Sequence, residues 1–157
     1  MGLRGVFQRR DWSDRARCLQ GACNAVDVTN IERVSAFTTK DGSEIRELLS
    51  HRNSLIRQQS LAEARLLAGA STTPHYHPRT EEIYYILSGR GLMRIGPESQ
   101  QVSPGDAIAI PPGAVHQITN PGPERLTFLC CCAPAYEDGD TVLVEGDTWT
   151  TLAEGAV

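Results

Sequence analysis

The pattern of apolar and polar positions changes character at about Gln59, beyond which short apolar runs follow one another closely. Glycine and proline separate these runs, as in Gly96-Pro97, Pro104-Gly105 and Pro111-Pro112-Gly113. Closely spaced short runs with such turns are typical of a β-sandwich or barrel. We therefore predict an all-β domain with strands at residues 60–67, 83–87, 92–95, 107–110, 115–119 and 126–132. The segment Glu44–Leu49 fits either a helix or a strand.

The chain before these runs divides into two parts. Residues 1–30 carry scattered arginines without an apolar period, and we interpret them as an irregular N-terminal arm. An alternative is a short amphipathic helix that docks on the domain through three apolar anchors: Val6, Trp12 and Leu19. From Ile31 the sequence looks globular, so we assign residues 31–157 to one domain, which suits a chain of 157 residues.

Charge and composition exclude several classes of partner. The net charge of -4 argues against a nucleic-acid partner, because such proteins normally present a basic surface. No apolar run approaches the length that spans a bilayer, and the first 20 residues lack the apolar segment of a secretory signal. We therefore expect a cytoplasmic protein without a membrane partner. The five cysteines fit no disulfide framework, which agrees with reduced thiols in that compartment.

Three of the four histidines, His75, His77 and His116, occur in unusual local sequence. Residues i and i+2 of a strand point to one face about 7 Å apart, so His75 and His77 can converge on one ion bound at about 2.1 Å. A proline then starts a turn, and the returning chain brings the carboxylate of Glu82 beside these imidazoles. His116 is distant in sequence, so a closed β structure must bring it in. We interpret His51 as a surface or satisfied core residue.

Two segments carry the pattern of a known family. The first, from Gly69 to Gly89, fits G-x5-H-x-H-x3,4-E-x6-G, and the second, from Gly105 to Asn120, fits G-x5-P-x-G-x2-H-x3-N. Every specified position is occupied, and in this the chain resembles the cupin superfamily. The resemblance implies a double-stranded β-helix, or jelly-roll, barrel. It also implies that one divalent metal ion is bound inside the barrel by four residues: His75, His77, Glu82 and His116.

The register of the strand after the first motif decides which side chains line a pocket. Glu81 competes with Glu82 for the carboxylate position, and the family spacing to Gly89 favours Glu82. Alternation from Glu82 and from His116 then places four side chains on the inner face: Tyr84, Ile86, Ser88 and Ile118. We predict a mainly apolar substrate pocket for a small organic molecule, formed by Tyr84, Ile86 and Ile118. Tyr84 either packs the barrel or hydrogen-bonds a ligand.

The predicted ligand set indicates metal chemistry without identifying the metal. Three imidazoles and one carboxylate suit divalent iron, manganese, nickel, copper or zinc, and leave two positions of an octahedral site open. Substrate and dioxygen in those positions give an oxygenase, whereas a bidentate substrate gives an isomerase, cyclase or decarboxylase. The cupin resemblance implies any of these, or a non-catalytic small-molecule-binding protein. Because no separate general acid or base stands out, we favour a dioxygenase-like, metal-dependent enzyme.

Outward-facing residues of the same strand predict an oligomer. Ile83 and Tyr85 alternate with the inner positions and so form an apolar external face. Small cupins commonly pair their sheets, and we therefore expect a homodimer.

The run from Cys130 to Cys132 lies in a predicted strand, with Cys130 and Cys132 on one face and Cys131 on the other. These cysteines are either small buried apolar residues or include one thiol near the metal. In both cases we expect no disulfide within the trio, because adjacent side chains diverge and an i to i+2 bridge would distort the strand.

Overall fold

A computed structural model of the chain describes residues 26–145. Most of the predicted arm, including Val6, Trp12 and Leu19, lies outside the described residues, as do Cys18, Cys23 and the last twelve residues of the predicted domain. The end of the arm contacts the domain, since Asp27 Oδ2 accepts a hydrogen bond from the Leu55 N–H at 2.9 Å. Asn30 then caps a short 3-10 helix at Ile31–Arg33.

The described residues form two antiparallel sheets. One has the strand order β1-β2-β3-β10-β5-β8 and the other β11-β4-β9-β6-β7. The strands are β1 Phe37–Thr38, β2 Glu44–Leu49, β3 Ser60–Leu66, β4 His75–Tyr76, β5 Glu81–Ser88, β6 Gly91–Ile95, β7 Glu98–Val102, β8 Ala107–Ile110, β9 His116–Thr119, β10 Leu126–Ala133 and β11 Val142–Leu143. The six predicted strands are confirmed with small shifts at their ends, and Glu44–Leu49 is a strand. Within residues 26–145, no helix has the length and apolar character that a membrane span needs.

Alternation of side chains builds the core between the two sheets. In β10 the inward side chains Leu126, Phe128, Cys130 and Cys132 are buried, and the residues between them are half-buried. Phe128, Leu126, Ile86 and Ile118 are among the fully buried side chains. Burial of each large apolar side chain contributes about 1.5–3 kcal/mol before entropy costs. The core therefore fills one part of the barrel and leaves polar residues of β4 and of the start of β5 beside a cavity.

A tight turn after β5 explains one glycine of the first motif. Gly89 has φ +81, a left-handed conformation that is unfavourable for residues with a Cβ. A Cβ at this position would also lie 2.6 Å from the carbonyl oxygen of Arg125 and 2.8 Å from the Cα of Leu126. The chain can thus turn from β5 into β6 against the start of β10 only without a side chain here.

Candidate metal centre

Four buried side chains converge inside the barrel. One potential ligand atom from each of His75, His77, Glu82 and His116 lies within 4.8 Å of all the others. His75 begins β4 and pairs with His116 at the start of β9, which is how the strand pairing brings the distant histidine to the first motif. Glu82 is buried near the start of β5, whereas Glu81 is exposed. The structure therefore brings together the four residues that the two motifs single out.

Backbone carbonyl groups orient all three imidazoles. Nδ1 of His75 lies 2.7 Å from the Thr73 carbonyl oxygen, Nδ1 of His77 lies 3.2 Å from that of Asp140, and Nδ1 of His116 lies 2.9 Å from that of Ala114. A carbonyl oxygen can only accept a hydrogen bond, so in the neutral form of each ring Nδ1 carries the hydrogen and Nε2 keeps its lone pair. Proteins orient metal-binding histidines in this way.

Two of the Nε2 atoms lie close to the carboxylate of Glu82. Glu82 Oε2 lies 3.5 Å from Nε2 of His77 and 3.4 Å from Nε2 of His116. Glu82 Oε2 and His116 Nε2 are both buried and have no hydrogen-bond partner among the described residues. Buried polar atoms without partners are costly, and these separations allow both atoms to bind one ion at about 2.1 Å. The residues present therefore fit a metal ion.

The electrostatics of the cluster favour a cation. Burial, followed by the neighbouring charge of His116, lowers the pKa of His75 to about 4, so this imidazole is neutral at pH 7. Burial alone would raise the pKa of Glu82, but the imidazoles of His116 and His77 outweigh it and hold that pKa well below its ordinary value. Burial would likewise lower the pKa of His77, yet Glu82 raises it. An ionised, buried carboxylate thus attracts positive charge, which a proton or a metal ion can supply.

A cavity of about 40 Å³ lies beside the cluster. Its lining includes His75, His77, Glu82 and Tyr84, with Tyr84 in ring contact with Phe128 at 4.7 Å between centroids. Of the three residues predicted for the substrate pocket, Tyr84 lines this cavity. Ile86 and Ile118 belong to the hydrophobic core and are not among the residues that line it.

Asp41 is a polar residue of the cavity that sequence reasoning missed. It is buried, and its Oδ2 lies 3.9 Å from Nε2 of His75. Its Oδ1 accepts hydrogen bonds from the Thr39 hydroxyl at 2.6 Å, the Ser43 N–H at 3.0 Å and the Ser43 hydroxyl at 2.8 Å. The local sequence Thr39-Lys40-Asp41-Gly42-Ser43 signals only a turn, because Asp and Gly are common turn residues.

Residues of the segment after β10 support His77 and were also missed. Besides the Asp140 carbonyl, the Thr141 hydroxyl lies 3.5 Å from Nδ1 of His77. The Asp140 carboxylate accepts hydrogen bonds from the N–H groups of Arg79 at 3.3 Å and Thr80 at 3.1 Å. This segment therefore fixes the loop that carries His77. No local pattern near residue 140 indicates this contact, which spans more than sixty residues of sequence.

The cysteines of β10 include buried side chains and a thiol beside a proposed metal ligand, so both alternatives left open by the sequence apply. The structure records Cys130, Cys131 and Cys132 as free, which agrees with the expectation that no disulfide forms. Cys130 and Cys132 are buried and line the cavity, and Cys131 is half-buried. Burial, and next the charge of Glu82, raises the pKa of Cys132 well above its ordinary value. Its neutral thiol donates a hydrogen bond to Oε1 of Glu82 at 3.3 Å and so helps to orient this carboxylate.

Comparisons with known proteins define the family. The family model described as "Cupin domain" matches residues 62–132. An uncharacterised protein of Methanocaldococcus jannaschii is 46% identical over 74% of this chain and 94% of its own length. The chain therefore belongs to the cupin superfamily, and its two-sheet architecture and likeness to solved cupin structures confirm the predicted jelly-roll fold.

Two further similar proteins have names that indicate a function of their own. An oxalate-binding protein of Thermotoga maritima is 32% identical over 62% of this chain and 82% of its own. The solved structure of Pac13, a nucleoside dehydratase from Streptomyces, has a TM-score of 0.63 and 16% identity, and it covers 79% of this chain and 97% of that one. The second likeness concerns the fold alone. Together they show that this fold carries different small-molecule sites.

Proposed function

We propose that this cupin is a metal-dependent enzyme that acts on a small organic substrate. The observation that supports this proposal is the convergence within 4.8 Å of one ligand atom from each of four residues, and two of these atoms are buried and have no hydrogen-bond partner among the described residues. His75, His77, Glu82 and His116 would hold one first-row divalent ion, which would coordinate both atoms and offset the negative charge of Glu82. Iron, manganese, nickel, copper and zinc all suit three imidazoles and a carboxylate.

The residues around the proposed ion orient its ligands and line the cavity. A bound divalent ion supplies Lewis acidity or access to dioxygen in the cavity. Backbone carbonyls keep the imidazoles in the metal-binding tautomer, and Cys132 orients the carboxylate of Glu82. Tyr84 forms one buried wall of the cavity, and Asp41 places a carboxylate oxygen beside His75. The substrate thus enters a site whose polar groups are already oriented.

Oxygenase chemistry remains the first candidate reaction, as proposed from the sequence. That proposal assumed a site without a proton acceptor apart from the metal ligands. Asp41 supplies such a group, and this observation favours a second candidate, Lewis-acid chemistry with proton transfer, as in an isomerase, cyclase or decarboxylase. The name of the oxalate-binding relative also supports a choice outside the oxygenases.

Metal analysis combined with oxygen uptake tests the proposed function. Protein purified with and without oxygen is loaded with each candidate metal, and oxygen consumption is followed with a set of small organic acids, alcohols and phenols. We expect about one ion per chain and turnover with at least one metal, which Glu82→Gln reduces strongly. Oxygen uptake identifies the oxygenase, and product formation without uptake identifies the Lewis-acid enzyme. Full metal content with binding but no turnover of any compound would indicate a non-catalytic ligand-binding cupin and contradict the proposal.

We also propose that the chain is a homodimer. Ile83 and Tyr85 are exposed on β5, as the alternation predicts, and Leu87 extends the same apolar row. Pairing of this face between two copies would remove the row from water. Light scattering at high micromolar concentration should give twice the mass of the chain, and Tyr85→Lys should shift the protein toward a monomer. A monomeric wild-type protein at that concentration would refute the proposal.

A further inference from the structure

The charged side chains that line the cavity are unbalanced. Among the described residues, those that line it include three carboxylates, Asp41, Glu47 and Glu82, and neither lysine nor arginine. Anion-binding sites normally supply arginine or lysine for charge-assisted hydrogen bonds. The lining of this cavity therefore lacks the groups that would bind the carboxylates of an acidic substrate.

Arg52 neutralises the outermost of these carboxylates. Its guanidinium donates hydrogen bonds to both oxygens of Glu47, to Glu137 at 3.1 Å and to the Tyr136 carbonyl at 2.9 Å. Arg52 thus lies between two carboxylates and contributes no excess positive charge to the cavity. The charges left for a ligand to meet are those of Glu82, Asp41 and the proposed metal ion.

Asp41 presents one carboxylate oxygen to the cavity. Its Oδ1 is held by Thr39 and Ser43, and its backbone carbonyl accepts a hydrogen bond from the Thr73 N–H at 2.6 Å. No described residue donates a hydrogen bond to Oδ2, and the nitrogen atom beside it is Nε2 of the neutral His75 imidazole at 3.9 Å. Asp41 is not one of the four residues whose ligand atoms all lie within 4.8 Å of one another. Its Oδ2 is therefore a fixed acceptor beside the ligand set that lacks a donor.

We propose that the cavity takes a small neutral molecule with a hydroxyl or similar protic group that donates a hydrogen bond to Asp41 Oδ2. The inference rests on the proposed function, since one divalent cation balances the carboxylates of Glu82 and Asp41. A neutral ligand then leaves the buried charges compensated. A small dianion such as oxalate places negative charge beside Asp41 without a further cation, and this disfavours its binding.

The cavity volume agrees with such a ligand. About 40 Å³ accommodates roughly three water molecules, so only a few non-hydrogen atoms of a ligand reach the innermost space. The apolar part of the lining, including Phe37, Ile45 and Ala62, can contact the remainder of the molecule. The ligand class is therefore a small neutral molecule with a polar, protic end and an apolar remainder.

Asp41→Asn tests the role of Oδ2 without removing the contacts of Oδ1. The amide oxygen can still accept from Thr39 and Ser43, while the amide NH₂ replaces the free acceptor with a donor. Zinc-loaded wild-type protein and the variant are titrated by calorimetry with hydroxyacetone, a small molecule that stays neutral and can donate a hydrogen bond from its hydroxyl group, and with oxalate. We expect the variant to bind hydroxyacetone about tenfold more weakly and oxalate more tightly. Asp106→Asn, a change in an exposed turn, should leave both affinities as they are.

The zinc content of the same samples separates the outcomes. If the variant keeps its zinc and the ratio of the two affinities does not change, the inference is overturned and the proposed function stands. Loss of zinc from Asp41→Asn would make Asp41 a metal ligand and would also overturn the inference. If the wild-type chain binds none of the five candidate metals, the proposed function fails and the inference fails with it.

Discussion

Replacing His116 with alanine is expected to weaken metal binding by more than about 100-fold. Loss of a residue that only hydrogen-bonds a metal ligand commonly costs about 10–100-fold in metal affinity, and His116 is itself a ligand in the proposed site. His116 is fully buried, and its Nε2 has no hydrogen-bond partner among the described residues, which leaves this atom available to the ion. The dissociation constant is measured by competition with a zinc-binding dye.

His51→Ala provides the matched control. His51 is partly exposed and lies 3.3 Å from the Glu137 carboxylate, outside the four-residue cluster. We expect its replacement to leave the metal affinity at the wild-type value. Circular dichroism of both variants shows whether each remains folded. Wild-type affinity in folded His116→Ala would contradict the assignment of this residue as a ligand.

Gly89→Ala is expected to destabilise the protein by about 4 kcal/mol, the largest effect on stability that we predict. The substitution combines two costs, since φ is +81 and the new Cβ would lie 2.6 Å from the Arg125 carbonyl oxygen. The three nearest atoms to this Cβ are backbone atoms of Arg125 and Leu126, which cannot move aside as a flexible side chain would. Equilibrium unfolding in urea measures the change in the free energy of unfolding.

Gly105→Ala separates the two costs. Gly105 has φ +96, but nothing lies within 4 Å of an added Cβ. We expect a loss of only about 1–2 kcal/mol there, from the left-handed conformation alone. Equal losses at Gly89 and Gly105 would show that the close approach of the β5 turn to β10 contributes nothing to stability.

The strands and the four converging residues could be predicted because each has a local signal. Glycine and proline mark the ends of β5, β6 and β8, and short apolar runs mark their interiors. The spacing of the two motifs distinguishes Glu82 from Glu81 and singles out His116 before any contact is known. β7 was missed because four of its five residues are exposed and polar, so no apolar run indicates it.

The alternation of side chains along a strand predicts which face a residue lies on, and this explains why the predicted pocket differs from the cavity in the structure. Ile86 and Ile118 point inward as predicted, but the inner face of a barrel strand contacts the cavity near one end and the packed core farther along. Ser88, predicted on the inner face, is exposed, because the pairing of β5 with β10 shifts register between Thr127 and Phe128. A period of two predicts a face and carries no information about depth or about a bulge.

The residues that contact the proposed metal-binding histidines from distant parts of the chain could not be predicted from the sequence. Asp41 enters the cavity from the turn between β1 and β2, and Asp140 reaches His77 from the segment before β11. Each occurs in a local sequence that is ordinary for a turn. Their roles depend on pairings between distant strands, which a single sequence does not specify.

X-ray absorption at the zinc edge of protein loaded with one equivalent of zinc tests the central claim most directly. The account predicts an inner shell of nitrogen and oxygen at about 2.0–2.1 Å, with the outer scattering of three imidazoles from His75, His77 and His116. Cys132, whose thiol hydrogen-bonds Glu82, should contribute no sulfur. A sulfur shell at about 2.3 Å, or scattering from fewer than two imidazoles, would contradict the proposed ligand set.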